Sequence, residues 1–351
     1  VYPALVVADA LTAERPGATL RFVGSDDGME RELVERSGLA FEGVSAGPMH
    51  GVNPLRVARS TVKLLRGLVQ SLRLVGRFKP DVVFSTGGWA SVPVSVAARL
   101  RGVPVVAFVP DIEPGRTLKL VGRFSRCVTA AVEDTAQYFK PGKVHVTGYP
   151  VRRALREAQE QTREAAAAHF ELDPGKPVLL VMGGSQGARS INQALEAALD
   201  ALLADRVQVL HLSGQLDWPH VQTLLAGRAG YRAFAYLHGP EMGLALAAAD
   251  LVVSRGGASI LGEFTYFGLP AVVVPYPYAW RYQKVNADWL ASRGAAVVLA
   301  DETLKETLLG TVRDLLGAPR RLAEMRARAE SLACAGADRQ IAQTVLEVAK
   351  R

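Results

Sequence analysis

The chain has 351 residues, 49% hydrophobic and 21% charged, which suits two globular domains and excludes a disordered chain. Its two cysteines, Cys127 and Cys334, exclude a disulfide framework and fit a reducing compartment. No run of about 18 apolar residues offers a membrane-spanning helix. The formal net charge of +7 is unevenly spread: residues 1–150 hold 19 Lys and Arg against 13 Asp and Glu, and residues 151–351 hold 22 against 21. A basic first half implies an anionic partner: lipid head groups, a phosphorylated substrate or nucleic acid.

In chain order, β-rich runs alternate with longer helical patterns. Strands are predicted over 19–24, 81–85, 104–108 and 143–147 in the first half. In the second they are predicted over 177–182, 207–212, 250–254, 270–274 and 295–299. Helices are predicted over 55–78, 186–204 and 281–293. Alternation of this kind means parallel sheets covered by helices on both faces. The turn at Gly148-Tyr149-Pro150 precedes a polar, alanine-rich helical stretch and marks the boundary. The expected fold is α/β: two doubly wound Rossmann-like domains, 1–150 and 151–351, facing a central cleft. The last helix is a candidate to cross back to the first domain.

The segment 55–79 carries seven basic residues (Arg56, Arg59, Lys63, Arg66, Arg73, Arg77, Lys79) and no acid. Apolar Val62, Leu65, Leu68, Val69 and Leu72 are interleaved. Two readings stand: a basic amphipathic helix for an anionic membrane surface, or the solvated face of a core helix.

Chemistry concentrates where strands end in glycines. After the strand over 177–182 come Gly183, Gly184, Ser185, Gln186 and Gly187, then a helix. Backbone N–H groups at such a start suit phosphate, glycines permit close approach, and Ser185 can cap the helix or meet a phosphate oxygen. The spacing is neither the dinucleotide fingerprint nor the P-loop. A second loop runs Ser254-Arg255-Gly256-Gly257-Ala258-Ser259-Ile260 and leads to Glu263, whose carboxylate suits the two hydroxyls of a ribose or simply the helix dipole. A third, proline- and tyrosine-rich, is followed by Gln283 and Asn286, amides able to bond sugar hydroxyls. In the first half Gly87 and Gly88 precede Trp89 in a similar turn. The six histidines show no metal-ligand spacing, and no metal site or cofactor is expected.

Taken in order, these loops resemble the MurG family within glycosyltransferase family 28. The parts that carry the likeness are residues 183–189 and 254–263, Gly148-Tyr149-Pro150-Val151-Arg152, and Gln283 with Asn286. The resemblance implies a GT-B fold and an inverting, metal-independent hexosyltransferase of peptidoglycan synthesis. Its partners would be UDP-N-acetylglucosamine and a lipid-diphosphate acceptor at the cytoplasmic face of the membrane, with no nucleic acid involved. By similarity, Arg152, Gly183, Gly184, Ser185 and Gln186 surround the donor diphosphate, and the backbone of Ala258, Ser259 and Ile260 caps it. Glu263 holds the ribose, the main chain near Leu237 reads uracil, and Gln283 meets the sugar. The acceptor falls to Gly87, Gly88 and Trp89.

The chain departs from the family pattern in three places. The glycine-rich loop ending in histidine, which in the family precedes the segment matching Val1-Tyr2-Pro3, is absent. The start is therefore expected to be truncated, with the family's base before Val1. The usual His-Glu-Gln-Asn stretch is replaced by residues 108–113, which leaves Asp111 and Glu113 as the general-base candidates within the chain. Tyr282 stands where the first of two glutamines is usual. Rival readings are a transferase acting on diacylglycerol, a nucleotide-sugar epimerase, and a non-catalytic UDP-sugar-binding subunit.

Overall fold

A computed structural model describes residues 1–28, 30–47, 54–184, 186–225, 227–278 and 282–350, with backbone alone over 54–60. The chain divides into two compact units. One comprises Val1–Pro150 together with Gly336–Arg351, and the other Val151–Ala335. The second unit thus ends before the last helix, Ala337–Ala349, which packs on the first helix, Tyr2–Glu14, with Arg339 bonded to Glu14 at 2.6 Å.

All strand pairs among the described residues are parallel. The first unit holds β1 (Arg21–Ser25), β2 (Ala40–Val44), β3 (Val83–Ser85), β4 (Val105–Val109), β5 (Cys127–Ala130) and β6 (Val144–Val146). They form a two-stranded sheet, β1-β2, and a four-stranded sheet in the order β3-β4-β5-β6. The second unit holds β7 (Val178–Met182), β8 (Gln208–Leu212), β9 (Tyr231–Phe234), β10 (Leu251–Ser254), β11 (Ala271–Val273) and β12 (Ala296–Val298) in one sheet, ordered β12-β11-β10-β7-β8-β9. Counted from β7, this is the 3-2-1-4-5-6 order of a doubly wound nucleotide-binding fold.

Each strand predicted from sequence is present within two residues of its expected ends. β2, β5 and β9 are additional. β2 mixes Glu42 and Gly43 with its apolar residues, and β9 carries Arg232, so neither gives a continuous apolar run. β5 is four small or modest residues, Cys-Val-Thr-Ala, although all four are buried.

The sheet of the second unit is apolar because helices cover it. β7 and β8 bury Leu179, Val181 and Val209 against Ile191, Leu195, Leu199 and Leu202 of the helix Arg189–Ala204. The 4-4-3 spacing of those helix residues makes one apolar stripe. Burying each such side chain contributes about 1.5–3 kcal/mol. The first unit does the same on a smaller scale, with Val105, Ala107, Val109 and Val128 under Leu118 and Val121.

Candidate functional site

In the second unit, β7 and β10 are neighbours, and the strand order reverses direction between them. Ligands of doubly wound sheets bind outside the carboxyl ends of the strands at this switch point. A cavity of about 650 Å³ opens there, lined from the β7 side by Met182, Gly183, Gly184, Gly187, Arg189, Ser190 and Gln193. From the β10 side come Arg255, Gly257, Ser259 and Ile260, with Tyr276, Gln283 and Asp301 completing the wall.

The glycine turn after β7 is tight for a stated reason. Gly187 has φ of +83°, and a Cβ there would stand 2.3 Å from the Ser213 carbonyl oxygen. The opposing Gly214 is equally constrained: its Cβ would lie 2.1 Å from the Gly187 nitrogen. Two backbone loops, after β7 and β8, therefore touch without side chains between them. The regular helix starts at Arg189, not at Gln186 as the sequence suggested, because residues 186–188 serve this turn.

A buried polar chain backs the turn. Asn192 donates to the Ser213 carbonyl at 2.9 Å and to Asp217 at 2.8 Å. Its amide oxygen then faces His211 Nε2 at 3.0 Å, which makes that nitrogen the donor. Nδ1 accepts from the Tyr231 hydroxyl at 2.9 Å. His211 is buried, and desolvation lowers its pKa to about 4, so it is neutral in this network. Asp217 also holds Arg189 at 3.3 Å, tying the network to the cavity wall.

The loop after β10 leads through a 3-10 turn, Ala258–Leu261, to the short helix Glu263–Tyr266. Glu263 is buried and accepts from Arg152 at 3.1 Å, with side-chain exposures of 7% and 16%. Burial raises the Glu263 pKa, and Arg152 and Ser259 act in the opposite direction.

The residues expected at the donor site divide into three groups. Gly183, Gly184, Ser259, Ile260 and Gln283 line the cavity. Arg152 and Glu263 meet each other. Gln186, Leu237 and Ala258 belong to loops of the same unit without lining the cavity; Leu237 is buried. Ser185 lies outside the described residues. Two hydrogen bonds bear on how these loops are held. The Ile260 amide donates to the Gly257 carbonyl at 3.1 Å, so it is spent on the turn. Asn286 is fully buried and donates to the Gly256 carbonyl at 3.1 Å, a bond that fixes the β10 loop. Gln283 accepts from the Tyr276 amide at 2.9 Å. Ser190, Gln193 and Asp301 were not predicted: no glycine or motif marks them, and only the topology brings them together.

In the first unit, Gly87 and Gly88 follow β3 at φ of +93° and +85°, and Ser91 closes the turn on the Gly88 carbonyl at 2.7 Å. Trp89 packs, partly buried, on the cluster of Val44, Ala46, Ala90 and Val94. Asp111 and Glu113 follow β4, and Glu113 is ion-paired with Lys119 at 3.0 Å. On the helix Pro54–Phe78, Val62, Leu65 and Val69 are exposed beside Arg66 and Arg73. Lys63 pairs with Asp27 at 2.9 Å and Arg77 with Glu42 at 2.8 Å, and the side chains of Arg56 and Arg59 lie outside the described residues. No helix among the described residues is long and apolar enough to cross a membrane.

Two family models match the chain: the glycosyltransferase family 28 N-terminal domain over residues 1–130 and the C-terminal domain over residues 178–344. The chain belongs to glycosyltransferase family 28. Among relatives in this family, a Moorella thermoacetica protein is 38% identical, over 99% of the chain and 95% of its own length. A Roseiflexus protein is 38% identical, over 97% and 91%. Both are named UDP-N-acetylglucosamine–N-acetylmuramyl-(pentapeptide) pyrophosphoryl-undecaprenol N-acetylglucosamine transferase. Among solved structures, Acinetobacter baumannii MurG aligns with a TM-score of 0.76 at 25% identity, over 99% of the chain and 95% of that structure. A Neisseria meningitidis UDP-GlcNAc 2-epimerase aligns with a TM-score of 0.73 at 14% identity, over 99% and 98%, which shows a shared fold alone.

Proposed function

We infer that this chain is an N-acetylglucosaminyltransferase. It moves N-acetylglucosamine from UDP-N-acetylglucosamine to a muramoyl-pentapeptide carried on undecaprenyl diphosphate. The observation that carries the reading is near-full-length identity of 38% to relatives named for this reaction. The switch-point cavity supports it, because it has the glycine turns and helix start that a nucleotide diphosphate needs.

The donor occupies the second unit. Its diphosphate lies at the glycine turn after β7, where backbone N–H groups and the helix start at Arg189 meet the charge that grows on the leaving UDP. Glu263 takes the ribose hydroxyls, and Arg152, its partner, stands at the diphosphate. The main chain near Leu237 faces the uracil, and Gln283 reaches the sugar. The acceptor hydroxyl attacks the anomeric carbon, the bond to UDP breaks, and the configuration inverts. A base must accept the hydroxyl proton. Asp111 and Glu113, the two carboxylates after β4, are the candidates within the chain, and Glu113 is ion-paired with Lys119 at 3.0 Å.

The first unit receives the lipid diphosphate at Gly87 and Gly88 and rests on the anionic cytoplasmic leaflet. Exposed Val62, Leu65 and Val69 flanked by Arg66 and Arg73 form the contact surface. Calorimetric titration with UDP, ATP and NAD tests the donor assignment. UDP is expected to bind at least tenfold more tightly than the other two, a difference of about 1.4 kcal/mol or more. Equal or tighter binding of NAD contradicts it.

A further inference from the structure

One wall of the donor cavity is held by a three-residue knot that the reaction does not use directly. Arg255, the first residue after β10, sends its guanidinium across the ends of the sheet. It donates to Asp301 at 2.5 Å, to the Val274 carbonyl at 3.2 Å and to Ser190 Oγ at 2.7 Å. Ser190 Oγ itself donates to the same Asp301 oxygen at 2.6 Å. The Tyr276 ring lies 5.2 Å from the guanidinium carbon. Arg255 and Asp301 are 12% and 17% exposed, and both line the cavity.

The topology gives this knot its meaning. Ser190 is in the first turn of the helix after β7, Val274 follows β11, and Asp301 follows β12. One guanidinium thus ties the carboxyl ends of four neighbouring strands, β7, β10, β11 and β12, around the switch point. Asp301 is the anion that fixes it. A carboxylate in the wall of a site for a diphosphate repels the ligand by charge alone. Its presence is explained if it holds the donor-binding loops in place.

We propose that Asp301 is a positioning residue for donor binding, acting through Arg255 and Ser190 to set the β10 loop and the start of the helix Arg189–Ala204. The inference rests on the donor assignment given above. Charge and position make opposite demands on the sign. If Asp301 only adds negative potential, its removal tightens UDP binding. If it positions the loops, its removal loosens binding despite the lost repulsion.

The test is titration calorimetry of UDP on the full chain and its variants, with donor kinetics alongside. Asp301→Ala is expected to raise the UDP dissociation constant about tenfold, as for loss of a charge-assisted hydrogen bond. The stoichiometry stays at one site, because partial unfolding lowers stoichiometry instead of affinity. The donor KM rises with it, while kcat changes less than about threefold. Asp301→Asn keeps an acceptor for Ser190 and Arg255 and is expected to recover most of the affinity. Should Asp301→Ala not fold, Ser190→Ala removes one arm of the knot and is expected to raise the dissociation constant in the same direction. Unchanged or tighter UDP binding by folded Asp301→Ala overturns the inference and leaves the donor assignment standing. Failure of the unaltered chain to bind UDP overturns both.

Discussion

At the scale of single residues, the pair of Arg152 and Glu263 combines two demands. A buried carboxylate is costly unless paired, and removing one member of such a pair strands the other, at about 3–5 kcal/mol. Glu263→Ala should therefore lower stability. It should also weaken UDP binding by about 1.5–3 kcal/mol, the worth of a hydrogen bond to a charged group. The double variant Arg152→Ala/Glu263→Ala separates the effects: stability is expected to recover in part, and UDP affinity is not. Thermal melts and titration of the two variants check this, and unchanged affinity in folded Glu263→Ala assigns that residue to packing alone.

His211 gives a prediction in pH. Its folded pKa of about 4 lies below its unfolded value of about 6.5. Between those values the unfolded chain binds the proton and the folded chain does not, so stability falls as pH falls from 6.5 to 4. The difference amounts to about 3 kcal/mol for this group. Denaturant titrations across that range are expected to show the loss, with a smaller slope for His211→Gln. Equal slopes would place the acid sensitivity elsewhere.

At the scale of elements, the helix Pro54–Phe78 illustrates how far sequence reading reaches. Its length and basic, acid-free composition are plain in the sequence. Which basic residues carry an acidic partner is not, because Asp27 and Glu42 come from distant segments. Arg66 and Arg73 are exposed beside Val62, Leu65 and Val69. Arg66→Glu/Arg73→Glu is expected to reduce cosedimentation with anionic vesicles. The unaltered chain's own binding should fall as salt rises, since screening shortens to about 8 Å at physiological ionic strength. Equal sedimentation with neutral and anionic vesicles makes the face a solvated one.

The strands follow a similar division. Runs such as Val178–Met182 and Leu251–Ser254 are covered on both faces and read directly as apolar stretches. β9 is at the sheet edge and alternates, with Tyr231 and Ala233 buried and Arg232 and Phe234 less so, which leaves too little pattern in four residues. The glycine turns were legible because only glycine tolerates Gly187's φ and its contact with Ser213. The knot of Ser190, Arg255 and Asp301 was not, since its members are separated by 46 to 111 residues and share no motif.

At the scale of the whole molecule, the doubly wound sheet of the second unit places both glycine loops at one switch point. That cavity is the proposed donor site of a chain that belongs to glycosyltransferase family 28. The central claim is transfer of N-acetylglucosamine to a lipid-diphosphate-linked muramoyl peptide, and one measurement addresses it most directly. The chain is incubated with radiolabelled UDP-N-acetylglucosamine and either that acceptor, diacylglycerol or no lipid, and label entering the lipid fraction is counted. Label is expected only with the muramoyl acceptor. A fall in rate by a factor of about 100 to 10,000 in either Asp111→Asn or Glu113→Gln, as for loss of a general base, marks which of the two accepts the proton. Label entering diacylglycerol instead, or the lipid-independent appearance of an epimerised nucleotide sugar, would contradict the account.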